Sequence, residues 1–65
     1  MNDFTLYNHG SIVVLTPMTE AARSWMQDNI DVENAQMWGK GVVVEPRYVG
    51  SILDGLTVDG LTVSL

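Results

Sequence analysis

The sequence predicts a small α+β domain: a two-layer sandwich in the order β-β-α-β-α-β, with a mixed four-stranded sheet and two helices on one face. Three observations predict it. Two β-branched runs, Ile12-Val13-Val14-Leu15 and Val42-Val43-Val44, read as strands covered on both faces. Thr16-Pro17 and Glu45-Pro46 each precede apolar residues at helical spacing. Finally, 65 residues make one domain, residues 1–65, with no room for a second.

The elements follow in order. Phe4-Thr5-Leu6-Tyr7 alternates and suits a half-buried strand. Asn8-His9-Gly10-Ser11 reads as a turn, with Gly10 free to take positive φ, so the first two strands form an antiparallel hairpin. Thr16 is placed to cap a helix over residues 17–29, with Pro17 at its first position and Glu20 in its first turn. Met18, Ala22, Trp25 and Asn29 form its stripe. Residues 31–41 are polar and aperiodic and read as a loop carrying Trp38, with Gly39 and Gly41 bracketing Lys40. Val42-Val43-Val44 is the third strand. Pro46 opens a second helix whose Val49, Ile52, Leu53 and Leu56 fall at i, i+3, i+4 and i+7. Residues 61–65 alternate and form the last strand.

One conflict is internal to the chain. Asp54-Gly55-Leu56-Thr57-Val58 is repeated as Asp59-Gly60-Leu61-Thr62-Val63. Asp59-Gly60 between two Leu-Thr-Val segments is also a hairpin signal. The helix is the preferred reading of the first copy, because the stripe from Val49 reaches Leu56 unbroken and Gly60 is well placed to end a helix. The sheet order expected is 1-2-3-4, with right-handed crossovers and the second face open. The expected core is Phe4, Leu6, Ile12 or Val13, Leu15, Trp25, Val43, Val49, Ile52, Leu53, Leu56, Leu61 and Val63.

Charge and composition exclude several functions. Eight acidic residues face three basic ones, for a formal net charge of −5. Arg23, Lys40 and Arg47 are too few and too scattered to track a nucleic-acid backbone, so nucleic acid is not an expected partner. No apolar run approaches the ~20 residues of a membrane span, and Met1-Asn2-Asp3-Phe4 does not open a signal peptide. A cytoplasmic location is expected. Without cysteine and with one histidine, no zinc site or disulfide is expected, and no cofactor.

Four residues stand out as candidate binding contacts. His9, the one histidine, sits in a turn where no acid follows to build a catalytic set. Trp38 lies in a polar loop, either folded back as a lid or exposed as a contact. Arg47 sits at a helix N-terminus, where acids are normally preferred, so it calls for either an internal carboxylate, Glu45, or an external anion. Tyr48 lies off the apolar stripe and offers a stacking face. No catalytic residue is expected, and the scattered carboxylates read as solvated surface.

Leu6-Tyr7-Asn8-His9-Gly10-Ser11-Ile12-Val13, Leu15-Thr16-Pro17, Ala22-Arg23 with Trp25, Trp38-Gly39, Val43-Val44-Glu45-Pro46-Arg47-Tyr48-Val49 and Asp59-Gly60-Leu61 together resemble a group of uncharacterised small proteins encoded by phages and prophages. The resemblance covers nearly the whole chain and carries no assigned activity. It implies a phage accessory protein acting on a host factor, of inhibitor or anti-defence type. Two other expectations stand beside it: a small-molecule binder for an anion or nucleotide at a homo-oligomer interface, and a purely structural homo-oligomer. An open sheet face rich in valine implies a homodimer or higher homo-oligomer.

Overall fold

The chain begins with the expected hairpin. A computed structural model describes residues 2–31 and 33–64; Met1, Val32 and Leu65, the last of them in the expected final strand, lie outside the described residues. β1 (Phe4–Asn8) and β2 (Val13–Pro17) pair antiparallel, with Leu6 opposite Leu15 and Asn8 opposite Val13. The turn is closed by the His9 N–H donating to the Ile12 carbonyl at 2.8 Å. Gly10 sits in it at φ +85°, a region where a Cβ is strained, while its N–H donates to Asn8 Oδ1 at 2.8 Å.

The first helix starts later than the sequence suggests. α1 spans Glu20–Asn29 and is capped by Thr19, whose Oγ1 accepts from the Ala22 N–H at 3.1 Å. Pro17 is the buried last residue of β2, opposite Phe4, and opens no helix. Asp3 explains the difference. Its carbonyl accepts from the Met18 N–H at 2.7 Å and its carboxylate accepts from the Thr19 hydroxyl at 2.7 Å. These bonds hold residues 17–19 along the start of β1, so the helix begins one cap later. The buried stripe is accordingly Ala22 and Met26 with half-buried Trp25, and Met18 and Asn29 are exposed.

The expected loop over residues 31–41 contains a strand. β3 (Met37–Trp38) pairs antiparallel with β4 (Gly41–Val44), Trp38 opposite Gly41. Gly39 at φ +61° permits the two-residue turn that joins them. α2 spans Pro46–Val58 and ends at Asp59, with Gly60 at φ +83° turning the chain out. The first copy of the pentapeptide is therefore helical, as preferred. β5 is Val63–Ser64.

Among the described residues the sheet is mixed and has five strands, not four, in the order β3-β4-β2-β1-β5. The expected order 1-2-3-4 is overturned. β5 lies parallel to β1, with Phe4 opposite Val63, and β2 runs antiparallel to β4, so α1 is no parallel crossover. Asp3 again supplies the reason: its N–H and that of Phe4 donate to the Thr62 carbonyl at 3.1 and 3.0 Å, and its carboxylate accepts from the Thr62 N–H at 3.0 Å.

Register divides the sheet residues between two faces. Phe4, Leu6, Leu15, Val42, Val44 and Val63 share one face with the buried side chains of both helices. Phe4, Leu15 and Leu56 are fully buried there, and Val49, Ile52, Leu53 and Leu61 pack around them partly buried. Val43 is a correction: it points to the other face, and Val42 and Val44 take the core positions expected of it. Ile12 is not in β2, and Val13 is the buried member of that pair. Trp25 meets Phe4 edge-on at 5.9 Å between ring centroids and donates its indole N–H to Asp59 Oδ2 at 2.6 Å. Among the described residues no helix is long and apolar enough to cross a membrane.

Candidate functional site

The open face of the sheet carries Thr5, Tyr7, Val14, Thr16, Trp38, Gly41, Val43 and Ser64 by register. Among the described residues no strand residue is charged, and the eight Asp and Glu side chains sit on helices, caps and connections. The open face is thus a neutral surface on an acidic protein.

Three aromatic rings gather there. His9 leaves the end of β1 and its ring centroid lies 4.6 Å from that of Trp38, inclined by 38°. Tyr7 follows at 6.2 Å from His9. Tyr7 and Trp38 are 60% and 53% exposed, so the row presents contact area to solvent. Val14 lies on this same face and yet is only 6% exposed. Its Cγ1 rests on Gly41, where an added Cβ would collide with it and lie 2.6 Å from Thr16 Oγ1. Glycine at position 41 is what lets the hairpin of β3 and β4 close against β2. Trp38 thus lies on the face opposite the core, against His9 and 53% exposed, so it is a surface contact and not a lid over the core.

The structure brings His9 and Trp38 together, and it pairs Arg47 and Tyr48 with each other elsewhere. Arg47 Nε donates to Glu45 at 2.8 Å, and its guanidinium stacks on the Tyr48 ring at 4.8 Å. Glu45 is thus the internal carboxylate for Arg47. Tyr7 was missed by sequence reasoning, which read it only as strand. The signal was present: Tyr7 and His9 are two residues apart, the spacing that places side chains on one strand face. The Asp3 carboxyl is held below its usual value near 3.8 by the Thr19 hydroxyl first and the Thr62 backbone second. Among the described residues no cluster of three or more His, Asp or Glu could hold a metal ion. Comparison of the chain with protein-family models, curated proteins and solved structures finds no match.

Proposed function

We propose that this chain is a non-enzymatic protein-binding module that docks through the open sheet face, with Tyr7, His9 and Trp38 as the central contacts. The observation that carries this reading is the aromatic row itself. Trp38 and His9 meet at 4.6 Å on a face without charged strand residues. Aromatic anchors in a charge-poor centre with a polar rim are the composition of interface hot spots. The resemblance to small phage proteins adds the setting: a host protein as partner, in the manner of an inhibitor or anti-defence factor.

A second reading has its own observation. A surface of charge −5 repels its own copies, so a neutral face is the one best suited to self-pairing. In that reading two open faces meet as a homodimer. An anion pocket at Arg47 and Tyr48 has less support, because Glu45 already neutralises Arg47.

Sedimentation equilibrium at micromolar concentration and capture from host lysate test both, with Trp38→Ala, Tyr7→Ala and Arg47→Gln as the series. Truncating an anchor should weaken binding by about 2 kcal/mol or more. A host partner lost by Trp38→Ala and kept by Arg47→Gln supports docking of a host factor. A 14 kDa species, about twice the 7.2 kDa chain and converted to monomer by the same substitution, supports the homodimer instead. A folded Trp38→Ala/Tyr7→Ala double variant that keeps every partner removes the face from consideration.

A further inference from the structure

Two of the chain's three cations, scattered in sequence, line one groove. It holds about 210 Å³ between α1 and the β3 edge, floored by Pro17, Met26 and Met37 and rimmed by Arg23, Gln27 and Lys40. Met26 and Pro17 are buried, whereas Met37 is 47% exposed. In a protein with eight acids, the convergence of Arg23 and Lys40 on an apolar floor is a local reversal of charge.

The strand beside the groove is an edge. Among the described residues β3 pairs with β4 and with no other strand. The Gln36 carbonyl accepts from the Val43 N–H at 2.8 Å, and Trp38 stands opposite Gly41. Antiparallel pairing alternates, so Met37, between those two rows, directs its N–H and C=O away from β4. Met37 also shares the helix-side face with Val42. A residue pairing with Met37 on its outer side would therefore send its own side chain toward the groove, and its two neighbours would fall on the face of Trp38.

We infer that the β3 edge is a site for an extended acidic peptide, which adds a strand at Met37 and places one carboxylate between Arg23 and Lys40. Strand addition supplies main-chain bonds, and the side-chain position opposite Met37 supplies the preference for acid. Glu20 now contacts Arg23 at 3.4 Å, an exposed ion pair of little strength, so an incoming carboxylate exchanges with it. The site rests on Arg23, Lys40 and the Met37 edge and meets the aromatic face proposed above only at Trp38.

The test is an amide NMR titration of the full chain with a capped pentapeptide, acetyl-Thr-Val-Glu-Val-Thr-amide, against its glutamine twin. The expected result is shifts at Met37, Trp38, Lys40 and Arg23, with the glutamate peptide binding more tightly. Arg23→Gln and Lys40→Gln should each weaken it about two- to fivefold, the size expected of exposed charge pairs. Arg47→Gln, the third cation, should leave binding unchanged, and Glu20→Gln should strengthen it. Equal binding of the two peptides, shifts confined to Tyr7 and His9, no shift at millimolar peptide, or the same shifts with acetate alone would each overturn the inference. So would a dimer closed through Met37 of both copies.

Discussion

The two copies of Asp-Gly-Leu-Thr-Val meet opposite fates within ten residues. In the first, Gly55 and Leu56 lie inside α2, and Leu56 is fully buried. Thr57 folds its hydroxyl back to donate to the Leu53 carbonyl at 2.7 Å. In the second, Asp59 caps the helix, Gly60 takes φ +83°, Leu61 is half-buried, and Val63 enters β5. Thr62 bonds with Asp3 through its N–H, its carbonyl and its hydroxyl. Asp54 is exposed on α2, while Asp59 accepts the Trp25 indole N–H. Local propensity is identical in the two, so it decides neither. The first copy is helical because the stripe begun at Val49 continues through it. The second is extended because Asp3 offers it a strand to join. Tertiary partners select the state.

The largest way to break this contrast is at the leucines. Leu56→Ala should destabilise by about 2–5 kcal/mol, whereas half-buried Leu61→Ala should lose about 1–2 kcal/mol. Denaturant unfolding with a shared m-value measures both. Equal losses would mean that the two copies contribute equally to the core.

The glycines come next. Gly60→Ala puts a Cβ at φ +83° and should lower stability by about 1–2 kcal/mol. Gly55→Ala should be neutral or stabilising by up to about 1 kcal/mol, since helix propensity improves and the new Cβ stands 3.4 Å from Trp25 Cζ2. Opposite signs in thermal melts sharpen the comparison.

The aspartates follow. Asp59→Ala leaves the Trp25 N–H without its partner and should lose about 0.5–1.5 kcal/mol, with a change in indole fluorescence. Asp54→Ala should stay within about 0.5 kcal/mol of the parent.

The last comparison is read in pH and concerns Asp3, the anchor of the second copy. Its carboxyl pKa is lowered in the folded chain by Thr19 and Thr62. A depressed folded pKa adds stability that is complete above the unfolded value near 3.8 and is lost as pH falls through the folded value. Asp3→Asn should therefore lose this component of acid sensitivity. An acid titration of unfolding in which parent and variant have the same slope below pH 4 would contradict the assignment.

What the sequence made legible was local. The second helix, the first hairpin and the apolar runs follow from spacing and turn residues. The first helix start was misread because Thr16-Pro17 is a sound local signal and the competing bonds come from Asp3. β3 was missed because two residues, Met37 and Trp38, cannot display a period. The sheet order was missed because the bonds that seat β5 join Asp3 to Thr62, which no local pattern encodes. The same holds at the candidate site. His9 and Trp38 stood out singly by residue type, but their juxtaposition is a product of the sheet, and so is the meeting of Arg23 and Lys40.

The bonds between Asp3 and Thr62 also fix where the chain enters and leaves the fold. The first and last described strands, β1 and β5, lie side by side, with Phe4 opposite Val63. A short flexible linker could close the chain into a ring, and new ends could be cut at the exposed turns at Gly10-Ser11 or Gly39-Lys40 without opening the core. The same proximity lets the whole domain be spliced into a surface loop of a carrier protein as a cassette. Its aromatic face and its β3 edge would then be displayed with both connections on the opposite side of the sheet order from β3.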